Sequence, residues 1–289
     1  MSHTYQIQLY WEKVIDRLFE QEDEKWLKKK VQGIEERGQN LQRITFHIHP
    51  YHRRAYENHT YIRYLLSVSL LVKAGRYDFL EEGHYRGEAN FVGDKWLNHW
   101  ITTEKQGGES SSKPLPADLI EKREQKAHRF TYNRREAVRY ADRWWDSYNP
   151  AYKHFDVDCT NYVSQCLRAG GAPTWGTPNR AKGWWYGRGT WSYSWSVAHA
   201  LRWYLGGARQ GLTATEVSSA DQLSPGDVIC YDFQGNGRFD HNTFVVKKDA
   251  NGMPLVNAHT YNSRHRYWAY EDSTAYTPEI QYKFYKIDG

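Results

Sequence analysis

A chain of 289 residues, 39% hydrophobic and 25% charged, has the composition of a folded protein with room for two modest domains, which excludes a disordered or membrane-embedded chain. The net charge of +5, from 39 Lys and Arg against 34 Asp and Glu, is too mild and too dispersed for a nucleic-acid arm, though it suits anionic polymers such as cell wall. No stretch of about 20 apolar residues is present to span a bilayer, and no basic-then-apolar leader opens the sequence, so the expected setting is soluble and cytoplasmic.

The first helix is expected from Trp11, Val14, Ile15, Leu18 and Phe19, which share one helical face. The pattern continues through Trp26, Leu27, Val31 and Ile34 to a stop at Gly38. Within it, Lys28-Lys29-Lys30 followed by Glu35 and Glu36 reads as a solvated face. The period then changes to two. Ile44, Phe46 and Ile48, and next Ile62, Tyr64, Leu66, Val68, Leu70 and Val72, alternate with polar residues as half-buried strands do. Tyr85 to Ile101 reads as one or two more. Residues 1–104 therefore read as a small α+β module. Its His47, His49, His52 and His59 are taken as ordinary strand histidines, with no metal assigned. Residues 105–116, rich in Gly, Ser and Pro, read as a linker, followed by a bridging helix from Ala117 to His128 and a second domain over residues 117–289.

The second domain opens with a helical stripe, Ala137, Tyr140, Ala141, Trp144 and Trp145, ended by Asn149-Pro150. The next stretch carries the chemistry: Asp158-Cys159-Thr160-Asn161-Tyr162-Val163-Ser164-Gln165-Cys166-Leu167, then Gly170-Gly171. Asp158 is a good N-cap and Gly170 a good C-cap, which puts Cys159 at the first position of a helix. The positive helix end favours a thiolate, and its free N–H groups can hold an oxyanion. Cys166 reads as a small buried hydrophobe. The third cysteine, Cys230, leaves an odd number, which argues against a disulfide framework.

A thiolate nucleophile needs a base, and His241 is the candidate. Pro225-Gly226-Asp227 turns the chain into a strand from Val228 to Phe233. A glycine-rich loop follows, and Asp240-His241-Asn242-Thr243-Phe244 begins the next strand. The Asp249-Ala250-Asn251-Gly252 turn then returns Leu255-Val256-Asn257-Ala258-His259 alongside, so that residue 241 lies opposite about residue 260. This brings His259 or Asn257 within reach as the third group that orients the imidazole, with His259 preferred. Asp232, Gln234, Asn236, Gly237 and Asp240 partly match a calcium loop, but position twelve is Thr243 rather than Glu. A tight turn aiming His241 is preferred there. Tyr152 and Asp158 are candidate supports of the oxyanion or triad, with Asp158 more readily a cap. Trp184, Trp185, Trp191 and Trp195 are candidate walls of a substrate cleft, and Trp203 is read as helix core.

Cys at a helix start, His on a strand and a polar group on the neighbouring strand is the order found in papain-like cell-wall peptidases and amidases. The Asp158–Gln165 motif, Gly226-Asp227-Val228-Ile229 with Asp232, His241, Asn257-Ala258-His259-Thr260 and the Trp184-Trp185 and Trp191–Trp195 segments resemble the putative amidase domain family of spore-forming bacteria. The resemblance covers about residues 129–289. It implies an α+β, papain-like C-terminal domain with its nucleophile at a helix N-terminus on an antiparallel sheet. The implied activity is cofactor-free amide hydrolysis by Cys159, His241 and His259 on a peptide or peptidoglycan-like substrate, with no nucleic acid and no membrane span. A catalytically silent wall or spore protein and a thioester acyl-transferase are the alternatives.

Overall fold

A computed structural model describes residues 2–20, 24–102 and 130–289. The linker expected at 105–116 and the helix expected at 117–128 lie outside these residues. The chain divides into two compact units, Met1–Glu104 with Ala269–Ala275, and Lys105–Trp268 with Tyr276–Gly289. Both mix helices with antiparallel sheet, so the chain is α+β.

In the first unit the single long helical pattern resolves into two helices, α1 (His3–Asp16) and α2 (Lys25–Glu36). Ser2 caps α1, its hydroxyl accepting from the Tyr5 N–H at 3.3 Å. Ile7, Trp11 and Val14 are its buried stripe, whereas Phe19 lies beyond the helix end and is 61% exposed. In α2 the buried face is Leu27, Val31 and Ile34. Lys30, expected in solvent, is buried on the same face. Its ammonium pairs with Glu81 and, at 2.8 Å, with Asp272, because a buried charge is tolerable only when matched.

Four strands form an antiparallel meander: β1 (Asn40–Tyr56), β2 (His59–Ala74), β3 (Tyr77–Val92) and β4 (Lys95–Ile101). Each hairpin turns on two residues, of which the first, Glu57, Gly75 or Gly93, has φ between 51° and 62°. That conformation matches the twist of the flanking strands. In β2 the alternation is complete, with Ile62, Tyr64, Leu66, Val68, Leu70 and Val72 all buried.

The second unit is built around α4 (Cys159–Ala169). Every residue from Cys159 to Leu167 is buried, so this helix runs through the core rather than over it. Around it lie α3 (Arg134–Trp144), capped by the Asn133 side chain on the Glu136 N–H, the two-residue strands β5 (Tyr186–Gly187) and β6 (Thr190–Trp191), and the helices α5 (Tyr193–Ser196) and α6 (Ala198–Gly207). Trp203 on α6 is 51% exposed, not core. Its indole N–H bonds His199 one turn earlier, at 2.9 Å.

The sheet of this unit comprises β7 (Ala214–Val217), β8 (Val228–Asp232), β9 (His241–Lys248), β10 (Pro254–Ala258), β11 (Ser263–Tyr267) and β12 (Gln281–Ile287). They lie in the order β11-β10-β9-β8-β12-β7 and all pair antiparallel. The turn before β8 is anchored by Asp227, fully buried, which accepts from the N–H groups of Ser224 and Ile287 and from Arg134 at 2.6 Å. Asp232 at the end of β8 accepts from the N–H groups of Asn236 (3.3 Å) and Gly237 (2.6 Å), which draws the 233–240 loop into a tight turn.

Candidate functional site

The site grows from the first turn of α4. Cys159 is its first residue, as expected, but Asp158 does not cap it through its side chain. The carboxylate is used elsewhere. Oδ1 accepts from the Phe155 N–H at 3.0 Å and from Asn161 Nδ2 at 2.9 Å, while Oδ2 lies 2.9 Å from Nδ1 of His259. The Asp158 N–H in turn bonds Thr260 Oγ1 at 3.1 Å, which ties the helix start to the chain just beyond β10.

Cys159 is 2% exposed. Burial pushes its thiol above the ordinary range, and the nearby Asp158 carboxylate adds to the effect. The backbone N–H of Asn242, the hydroxyl of Thr160 and the Thr160 N–H act against that rise by facing the sulfur. The Thr160 Oγ1 lies 3.7 Å from it. The helix end, whose dipole favours a thiolate by roughly 1 kcal/mol, works against this desolvation.

His259 sits over the same turn of α4. Its ring stacks on Tyr162 with centroids 4.0 Å apart and meets the edge of Tyr148 at 5.0 Å. Nε2 lies 2.6 Å from the Trp144 carbonyl oxygen and Nδ1 2.9 Å from the Asp158 carboxylate, so both ring nitrogens face acceptors. His259 is thereby a partner of Asp158, the residue that precedes Cys159, and its two ring nitrogens are taken up by Asp158 and the Trp144 carbonyl.

His241 is the first residue of β9. Across β8 and β9 the register pairs Tyr231 with His241 and Cys230 with Asn242. Successive side chains on a strand point to opposite faces. Asn242 faces α4, its Nδ2 bonding Thr160 Oγ1 at 3.0 Å, and Phe244 and Val246 follow it into the core. The His241 ring lies 5.6 Å from that of Tyr231 and 6.1 Å from that of Phe233. The backbone N–H of Asn242, the next residue, faces the Cys159 sulfur, so the start of β9 lies against the first turn of α4.

Asn257 pairs with Phe244 in the β9–β10 register and is fully buried. Its amide donates to Asp142 at 3.2 Å and its oxygen accepts the His265 N–H at 2.9 Å, so it braces β11 and α3. Tyr152 stacks on Trp195 at 5.8 Å, and burial pushes its phenol up. Trp184, Trp185 and Trp195 are at most 1% exposed. Their indole N–H groups are satisfied internally by Ser164, by the Asn179 and Lys182 carbonyls, and by Asn161. These three are core, not cleft wall. Trp191 is half-buried and stacks on Tyr186 at 6.0 Å. Asn242, Thr160 and Thr260 escaped the sequence reading. Strand alternation after His241 would have marked Asn242. Among the described residues no group of three or more His, Cys, Asp or Glu is placed to hold a metal, and no helix is long and apolar enough to cross a membrane.

Residues 131–285 match the family model described as "Putative amidase domain", over more than half of the chain. The chain belongs to this family. It is also 59% identical over 171 residues to "Uncharacterized protein YhbB" of Bacillus subtilis (strain 168), a match covering 59% of this chain and 55% of that protein. It is 32% identical over 134 residues to "Uncharacterized protein YjcM" of the same strain, covering 44% of this chain and 30% of that protein. The chain thus spans about half or less of the curated relatives it matches. No solved structure matches it.

Proposed function

We propose that the second unit is a cysteine-dependent amide hydrolase of papain-like type, with Cys159 as nucleophile, acting on peptidoglycan or related peptide amides. The observation that carries the reading is the position of Cys159: the first residue of a helix, flanked by a buried carboxylate–imidazole pair, Asp158 and His259. A carboxylate on Nδ1 that fixes an imidazole beside a nucleophile is the arrangement a triad requires. Family membership supports amide chemistry.

In the proposed cycle an imidazole takes the Cys159 proton and the sulfur attacks the amide carbonyl. The N–H groups of Thr160 and Asn242, which face the sulfur in the resting structure, are placed to receive negative charge developing beside it. The imidazolium returns the proton to the leaving amine, leaving a thioester that water hydrolyses. His259, held by the carboxylate of Asp158 next to Cys159 in the chain, is one candidate for that imidazole, and His241 at the start of β9 is the other. His259 acts as base only as the neutral ring with its proton on Nδ1 towards Asp158 and its Nε2 freed from the Trp144 carbonyl to accept the thiol proton.

A second reading has its own observation. A fully buried thiol with a raised pKa suits a binding or structural protein that keeps the fold without turnover. Incubation with purified stem-peptide amides, read by amine release for the wild type and Cys159→Ala, separates the two. Release that disappears with Cys159→Ala supports the hydrolase. Substrate binding without release, the same in both proteins, supports the silent form. Transfer of the acyl group to an added amine in place of water would make the enzyme an acyl-transferase.

A further inference from the structure

Among the described residues the first unit carries one long strand whose outer edge is open. Among the described residues β1 pairs with β2 and with no other strand, so it ends the sheet on that side. Register irregularities fall between Leu41 and Arg43 and between Pro50 and His52. The stretch Arg43–His49 between them is regular, and in a regular strand every second N–H and C=O points to the open edge.

The two faces of this stretch differ in chemistry. Ile44, Phe46 and Ile48 lie opposite the buried Leu70, Val68 and Leu66, and so point to the helix side. They remain only half-buried, since nothing among the described residues flanks them on the open side. Arg43, Thr45, His47 and His49 occupy the other face, and all four are exposed. The whole of β1 contains no Asp or Glu, and it continues past the second irregularity with His52, Arg53 and Arg54. None of Arg43, His47 or His49 makes an ion pair with a described residue.

We propose that Arg43–His49 is a docking edge for an extended acidic peptide, which adds to the sheet as a further strand. Backbone groups of the edge supply the pairing, and alternate side chains supply the selection. The complementary peptide alternates aliphatic residues, which complete the cover over Ile44, Phe46 and Ile48, with Asp or Glu facing Arg43, His47 and His49. A second copy of this chain is a poor occupant. Antiparallel pairing of β1 with itself sets Arg and His against Arg and His, and like charges directly opposite destabilise a strand pair. A nucleic acid would use the basic groups but has no use for the strand's free N–H and C=O row. The proposal concerns the first unit and does not depend on amide hydrolysis in the second.

The test uses the full chain and a fluorescein-labelled peptide of alternating valine and glutamate, as long as Arg43–His49, followed by anisotropy. The expected result is saturable binding. It weakens by about tenfold when glutamate is replaced by lysine, and similarly when alternate valines are replaced by proline, which cannot donate to the edge. Arg43→Glu with His47→Glu should weaken binding by at least as much. Arg43→Lys should keep it, and so should Lys25→Gln with Lys29→Gln on α2, which removes charge elsewhere in the unit. Equal binding of the proline peptide would show attraction without strand addition and would overturn the proposal. So would unchanged affinity in the charge-reversed variant, or β1-dependent dimers in sedimentation that the peptide fails to dissociate.

Discussion

Nδ1 of His259 lies 2.9 Å from Oδ2 of Asp158, and both side chains are at most 3% exposed. Asp158 immediately precedes Cys159, so this buried pair fixes both the start of α4 and an imidazole over its first turns. If the pair serves catalysis, His259→Ala should lower kcat/KM for amide release by roughly 10²–10⁴-fold, the usual contribution of a general base. Asp158→Asn should cost less. His241→Ala should change turnover by under about tenfold, since its ring lies against Tyr231 and Phe233. The reverse ranking, with His241→Ala the more damaging, would make His241 the base.

The thiol of Cys159 makes a pH prediction. Its pKa is raised, first by burial. The thiolate fraction, and with it the rate of iodoacetamide labelling at Cys159, should therefore stay low through neutral pH. It should climb only above the range of about 8–9 where a free cysteine ionises. Rapid labelling of Cys159 at pH 6, located by mass spectrometry, would mean that water or an imidazole reaches the sulfur in solution.

His99 predicts acid lability of the first unit. Burial lowers its pKa from 6.5 to about 4. Its ring bonds the Tyr64 hydroxyl, which also accepts from the Trp11 indole at 2.9 Å. A histidine with a depressed folded pKa binds fewer protons folded than unfolded. Stability contributed by the neutral ring is thus present above about 6.5 and falls as pH drops from 6.5 towards 4. The loss approaches about 3 kcal/mol at most. Hydrogen exchange in β2 and β4 should accelerate over that window, and His99→Gln should flatten the dependence.

Arg134 and Asp227 lie 93 positions apart in the chain, and their ion pair ties the start of the second unit to the turn before β8. Arg134 donates to Asp227 at 2.6 Å, to the Pro225 carbonyl at 3.1 Å and to the Ile287 carbonyl at 2.7 Å. Arg134→Ala leaves a fully buried carboxylate without its cation, a change that costs about 3–5 kcal/mol. Denaturant unfolding of the second unit should show a loss of that order. Asp227→Asn with Arg134→Met should be milder than Arg134→Ala alone.

Gly87 offers a test confined to the first unit. A Cβ there would come within 2.3 Å of Tyr64 Cζ, and the Tyr64 ring has no room to retreat because it is fully buried. Gly87→Ala should destabilise this unit by about 1–3 kcal/mol, read as a lower melting temperature. Gly187→Ala, where nothing lies within 4 Å, should leave melting unchanged.

Much of this protein could be read from local pattern. Period two in Ile62–Val72 specified which face of β2 is buried, because a strand's side chains alternate whatever it packs against. The Asp158–Gly170 stretch specified a helix beginning at Cys159. Other properties depended on which surfaces meet. Lys30 sits among charged neighbours in sequence, yet a matching Glu81 draws it inside. Trp184, Trp185 and Trp195 find internal acceptors and so become core. The sequence by itself determined where the nucleophile stands on its helix and which histidines the neighbouring strands carry. Only the tertiary structure decided that Asp158 and the Trp144 carbonyl hold His259 and that Asn242 points at α4, because which of two adjacent strand residues faces the helix turns on one residue of register.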